Sequence, residues 1–230
     1  MRRVFAEWPL LPCRLVRSRL GVWLGLLTAV LWRLGHSVSN ADPAAIVVLA
    51  GALAAVVCTA ALAGLPSDRA ALVHRLLQPT SPLAIAAGRW LAATSGACAV
   101  VLVLAASLGW WSPSRTMVHL GAIAAGIVAA GAVTAAVLPG VLIGGNALAV
   151  LAFVWLVLVS VAPPETLIGL RHHGVVSFAG AALLEIGPSV WRYRSIASGD
   201  LGAVAHAATW LGAGIGLATW GVSRLRASRL

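Results

Sequence analysis

The sequence predicts an all-α polytopic membrane protein of six transmembrane helices with both termini cytoplasmic. Three observations carry this. Of 230 residues 60% are hydrophobic and only 10% are charged, whereas soluble domains run nearer 25% charged. The apolar residues fall in runs of about twenty, the number that crosses a ~30 Å hydrocarbon core. The basic residues, all arginine, flank those runs and act as topology determinants. A soluble enzyme is excluded, because so few charges cannot cover a surface in water. The net charge of +10 does not indicate nucleic acid, since no contiguous basic face is available.

Residues 1–19 mix Phe5, Trp8, Leu10, Leu11 and Leu15 with arginine and proline and read as an interfacial helix at the cytoplasmic headgroups. Arg14, Arg17 and Arg19 interrupt any signal-peptide core, so the first span is expected to stay as an anchor. Span 1 covers 20–39, with Arg33 near its far end able to snorkel. Asp42-Pro43 marks a turn, and span 2 covers 44–65. A polar connector follows, PSDRAALVHRLLQPTSP over 66–82, with the polar character continuing to Arg89. Ser67 or Asp68 can cap a short helix that Gln78-Pro79 stops. Its Leu72, Leu76 and Leu77 share a face.

Span 3 covers 83–109, and Trp110-Trp111 marks an interface belt. Residues 116–164 carry no charge and are too long for one crossing, since a single helix of that length would reach roughly 70 Å. Pro139-Gly140 and Gly144-Gly145-Asn146 divide them into span 4 at 117–138 and span 5 at 143–162. The extracytoplasmic segment 163–200 contains an apolar stretch, 174–184, too short to cross. It is expected to form two short re-entrant or interfacial helices. A seventh span there would put Glu185 in the membrane and flip the C-terminus. Span 6 covers 201–222, with an arginine-rich tail. With the N-terminus inside, eleven of the sixteen arginines are cytoplasmic, as the positive-inside bias requires. The whole chain, 1–230, is one transmembrane domain in the cell (inner or plasma) membrane.

Chemistry is sparse. A phosphate-binding GxxxxGK[ST] loop needs a lysine, and there is none. No HExxH or GxSxG motif occurs, and none of the six acids lies mid-membrane, so the chain is expected not to be an enzyme and not to carry a proton relay. Cys13, Cys58 and Cys98 are too far apart for a zinc site or a disulfide framework. His172-His173 is a weak metal candidate without a third ligand, so no metal is expected. Gly140 with Gly144 and Gly212 with Gly216 allow close helix contact. Trp210 and Trp220 read as interface anchors.

The order of parts resembles the membrane subunit of ABC transporters of the ABC-2 exporter type. The resemblance rests on LLQPTSPLAIAAGRWLA, with Leu76, Leu77, Pro79, Ser81, Pro82, Gly88, Arg89 and Leu91 at the positions such proteins carry before their third span. It rests also on IGPSVWRYRSIASGD, with Pro188 and Trp191, before the last span. The resemblance implies a permease pairing with a second copy or homologue and with ATP-binding cassette subunits. ATP and Mg would sit on that partner, with no cofactor in this chain. The connector helix, about 67–77, would dock through Asp68, Arg69, Leu72, His74, Arg75 and Leu76. Arg69 and Arg75 would meet carboxylates, and spans 1, 2 and 5 would line the path. Two other readings fit: a haem-handling cytochrome c maturation-type permease, for which the outer histidines would matter, and a non-transporting structural or assembly subunit.

Overall fold

The computed structural model describes residues 43–63, 80–108, 113–144 and 174–227. Among them there is no strand. Helix α1 is Pro43–Cys58 and ends in a π-helical turn, Thr59–Ala63. Helix α2 is Pro82–Ser107, α3 is Pro113–Gly144, α4 is Val175–Ile186 and α5 is Val190–Arg194. A 3-10 turn, Ser195–Ser198, leads to α6, Leu201–Ala227. Four helical stretches are long and apolar enough to cross a membrane: Ala44–Ala61, Pro82–Ser107, His119–Leu142 and Leu201–Ala227. The expected spans 2, 3, 4 and 6 are therefore present as helices. Spans 1 and 5 lie outside the described residues.

Helix α2 starts where its sequence says it should. Ser81 is in extended conformation, its hydroxyl accepts from Ala84 N–H at 3.2 Å, and Pro82 occupies the first turn. Proline costs nothing there because that N–H has no helical partner. Helix α6 starts on Asp200. Its carbonyl accepts the first helical bond from Val204 N–H, and its Oδ1 accepts from Gly202 and Ala203 N–H at 2.8 and 3.2 Å. The preceding turn needs Gly199, whose φ of 88° lies in the left-handed region.

Two buried clusters fix the directions of the helices. One joins the start of α1 (Ala44, Val47), the end of α2 (Leu104, Ala105) and the start of α3 (Ala122, Ile123). The other joins the end of α1 (Val56, Cys58), the start of α2 (Ala86, Ala93) and the later half of α3 (Val133, Leu138). So α1 and α3 run parallel, with α2 antiparallel to both. Helix α6 is parallel to α3: Ala197, just before it, meets Gly121, and Gly214 meets Ala135. In α1 and α3 67% of the apolar window is buried, against 28% in α2 and 22% in α6, so α1 and α3 form the centre.

The core is mostly alanine and valine. Lipid tails are as apolar as side chains, so spanning helices gain little by hiding apolar area and depend on close packing. A Cβ on Gly51 would stand 2.5 Å from Gly126 O, and one on Gly126 would stand 2.6 Å from Val47 Cγ1. Glycine at both positions brings the backbones of α1 and α3 into contact.

Two expectations are corrected. Pro139 does not end the fourth span: α3 runs through it to Gly144. A proline inside a helix leaves the carbonyl four residues earlier without its N–H, and that carbonyl is Ala135 O. Gly214 of α6 points the position of its absent Cβ straight at this oxygen, the arrangement of a Cα–H···O contact between helices. Likewise Gly212 and Gly216 make no close contact among the described residues; Gly214 between them makes it. A pair four residues apart shares one face, and here that face is the outward one.

Candidate functional site

The proposed docking residues Asp68, Arg69, Leu72, His74, Arg75 and Leu76 lie outside the described residues, as do His172 and His173 and the interfacial segment 1–19. The place where the connector ends is described. Arg226, in the last turn of α6, donates from Nη2 to Thr80 O at 2.9 Å across 146 residues of sequence. Thr80 immediately precedes the Ser81-Pro82 cap. The tail of the last span is thus fastened to the point where the connector becomes α2, and both lie at one end of the bundle. Nearby, the Arg224 guanidinium stacks over the Trp220 ring at 5.2 Å. Trp220 is exposed, as an interface anchor should be.

Within α2, Trp90 from the GRWLA stretch donates Nε1–H to Gly131 O of α3 at 2.9 Å. A Cβ at Gly131 would meet Trp90 Cζ2 at an ordinary packing distance of 3.5 Å, so the ring lies against this backbone without depending on the glycine. Further along, Thr94 Oγ1 and Thr134 Oγ1 are buried without a hydrogen-bond partner. Neither residue type nor spacing singled out Trp90 or these threonines.

The other polar concentration sits at the opposite end. Segment 174–200 does form two short helices, α4 and α5, joined by the buried Gly187-Pro188-Ser189. Ile186, the last residue of α4, offers its carbonyl to two side chains of α6: His206 Nε2 at 2.9 Å and Trp210 Nε1 at 2.7 Å. A carbonyl only accepts, which assigns the proton to His206 Nε2 and leaves Nδ1 as an acceptor. Tyr193 O–H of α5, 3.2 Å from Nδ1, supplies that bond. Tyr193 heads the largest fully buried side chains and belongs to the central core. Burial pushes its hydroxyl well above the usual phenol range, opposed weakly by Arg192, so it stays protonated as a donor. Trp210 is therefore a hydrogen-bonding residue and not simply an interface anchor. Its indole and the His206 imidazole share one acceptor because they lie four residues apart on one helix face. The partners of His206 lie 13 and 20 residues away on two other helices, α5 and α4, beyond any local sequence pattern.

Beside this cluster, Asp200 Oδ2 accepts from Ser195 Oγ at 2.7 Å. The Ser195 hydroxyl first, then the N–H groups of Ala203 and Gly202, hold the Asp200 carboxyl below the usual range. Among the described residues no three His, Cys, Asp or Glu side chains gather as a metal site. No family model matches this chain, and no curated protein and no solved structure matches it either. Among the described residues the chain is α-helical, with four helices long and apolar enough to cross a membrane.

Proposed function

We propose that this protein is the membrane-spanning permease subunit of an ATP-driven transporter of the exporter type. It forms part of the translocation path in the cell membrane and performs no hydrolysis itself. ATP and Mg belong to a separate ATP-binding subunit, gripped by the 66–82 connector through Arg69, Arg75 and their neighbours. The remaining crossings are 20–39 and, once α3 has ended at Gly144, the rest of the expected span 5 up to 162, giving six spans with cytoplasmic termini. The parallel run of α3 and α6 supports this count, since the chain has to return across the membrane between them an odd number of times.

The observation that carries the reading is the Arg226–Thr80 fastening. A motor acting on the connector would need a mechanical link to the bundle. The connector's far end leads directly into a capped helix and is tied by a charge-assisted bond to the last span. A push at 66–79 would reach α2 and α6 together, while the glycine contacts hold α1 to α3.

The test is affinity purification of the full chain from mild detergent, with partners identified by sequence. A stoichiometric protein with a GxxxxGK[ST] loop is expected, and deletion of 67–77 should release it while the chain still inserts. A lone monomer, or partner association indifferent to that deletion, would end the proposal.

A further inference from the structure

Helix α6 turns one continuous row of residues away from the bundle. Val204, Ala208, Gly212, Gly216, Trp220 and Arg224 follow each other at four-residue steps, an inclined row on a helix surface, and all six are exposed. The helix packs through other residues, Gly214 and Ala218 among them. The row is ordered by polarity. Arg224 ends it, its guanidinium held over the Trp220 ring at 5.2 Å, and Trp220 is itself 55% exposed. Toward the middle of the helix come the two glycines, about 6 and 12 Å from Trp220 at 1.5 Å per residue. Both fall within the ~15 Å that makes half the hydrocarbon core. The exposed hydroxyls nearby are turned back onto their own helix, Thr209 onto Ala205 O and Ser223 onto Thr219 O, so the surface between Val204 and Trp220 is apolar.

That order is the order of a phospholipid: phosphate, then glycerol esters, then hydrocarbon. A guanidinium offers several donors in a plane and binds phosphate oxygens two at a time. Stacking on the indole fixes where it does so. The indole suits the ester level, where one edge is wet and the rest is not. Gly216 and Gly212 put backbone where side chains would stand, leaving a trough for a methylene chain, with the exposed Leu217 as a wall beside Gly216. The glycines supply shape, and the ligand's identity rests on the Arg224–Trp220 pair. Charge points the same way. Among the described residues the acids are Glu185 and Asp200, both at the other end of the bundle, so Arg224 meets no described carboxylate. Arg226, two residues on, is committed to Thr80 O and adds a second positive charge to this end.

We propose that this row is a binding site for one anionic phospholipid. Its phosphate sits on Arg224, its ester region on Trp220, and one acyl chain lies along Gly216 and Gly212. The positive charge at this end selects a headgroup without a cation of its own. The lipid covers the bare side of α6, the least buried of the spanning stretches at 22%, and gives that helix packing contacts the bundle does not supply. The site needs only that α6 crosses a membrane, not that an ATPase drives it, so either proposal can fail alone.

The test uses the full chain, purified in mild detergent and washed free of lipid. It is titrated with phosphatidylglycerol or with phosphatidylcholine of the same acyl chains, and bound lipid is counted by native mass spectrometry. Wild type should hold one phosphatidylglycerol per chain, about tenfold more tightly than phosphatidylcholine, the size of one charge-assisted contact. Arg224→Gln should abolish that preference. Gly216→Leu fills the trough without touching the charge and should weaken both lipids. Arg194→Gln removes an equal charge from the opposite end of the bundle and should change neither. Equal affinity of wild type for the two lipids overturns the proposal, as does an unchanged preference in Arg224→Gln or an equal loss in Arg194→Gln. So does a two-chain species that Gly216→Leu splits while the lipid count stays the same, because the row is then an interface between copies. If Gly216→Leu cannot be purified, the comparison of Arg224→Gln with Arg194→Gln decides alone.

Discussion

Gly214 shows how much one hydrogen atom decides. Its Cα sits where α6 meets the carbonyl that Pro139 releases in α3, and a methyl there would collide with Ala135 O. Gly214→Ala should cost about 1–3 kcal/mol, the usual penalty for overpacking. Gly212→Ala and Gly216→Ala meet no close contact among the described residues and should be neutral or slightly stabilising, because alanine is the better helix former. Thermal unfolding of the three purified variants in one detergent checks the ordering. Asp200 gives a pH signature. Its carboxyl is held below the ordinary range by Ser195 and the first N–H groups of α6. Its stabilisation is therefore complete above the unfolded-state pKa and is lost as pH falls through the lower folded-state value. Wild type should lose melting temperature more steeply than Asp200→Asn below about pH 4, the ordinary carboxylate range, and a parallel pair of melting curves would refute this.

Trp90 ties two helices by a bond that sequence could not pair. Trp90→Phe keeps the ring and removes the donor, so it should cost about 0.6 kcal/mol, typical of interhelical bonds in membranes. Paired unfolding measurements against wild type test it. The helices themselves were readable. Span 3 announces its start through Ser81-Pro82, and α6 through Gly199-Asp200, because caps are local chemistry. The stretch 174–184 was too short to span, and it folded as a short helix. Pro139 misled because a proline in a spanning helix is tolerated when a neighbouring helix re-satisfies the freed carbonyl. That neighbour is 75 residues away in sequence, beyond any local pattern. The outward Gly212 and Gly216 misled for a related reason: spacing gives a shared face but not which way it turns.

Among the described residues the helices form two tiers, with α1 and α3 clasped together at the centre and α2 and α6 leaning on them. Periodicity and length make the spans visible, while tier and direction depend on glycine contacts between remote segments. The Tyr193–His206–Trp210 cluster was illegible for the same reason, since each residue is unremarkable alone and only the fold makes them neighbours. The common heading of α3 and α6, with α2 reversed, also constrains the chain's biogenesis. A phosphatase reporter, active only when exported, should behave alike whether fused after Gly144 or after Ala227, silent at both and bright after Ser107. Two translocation stop points 83 residues apart (227 − 144) would thus share a compartment, and the ribosome would have to thread the intervening residues out to the far side before the last helix is made.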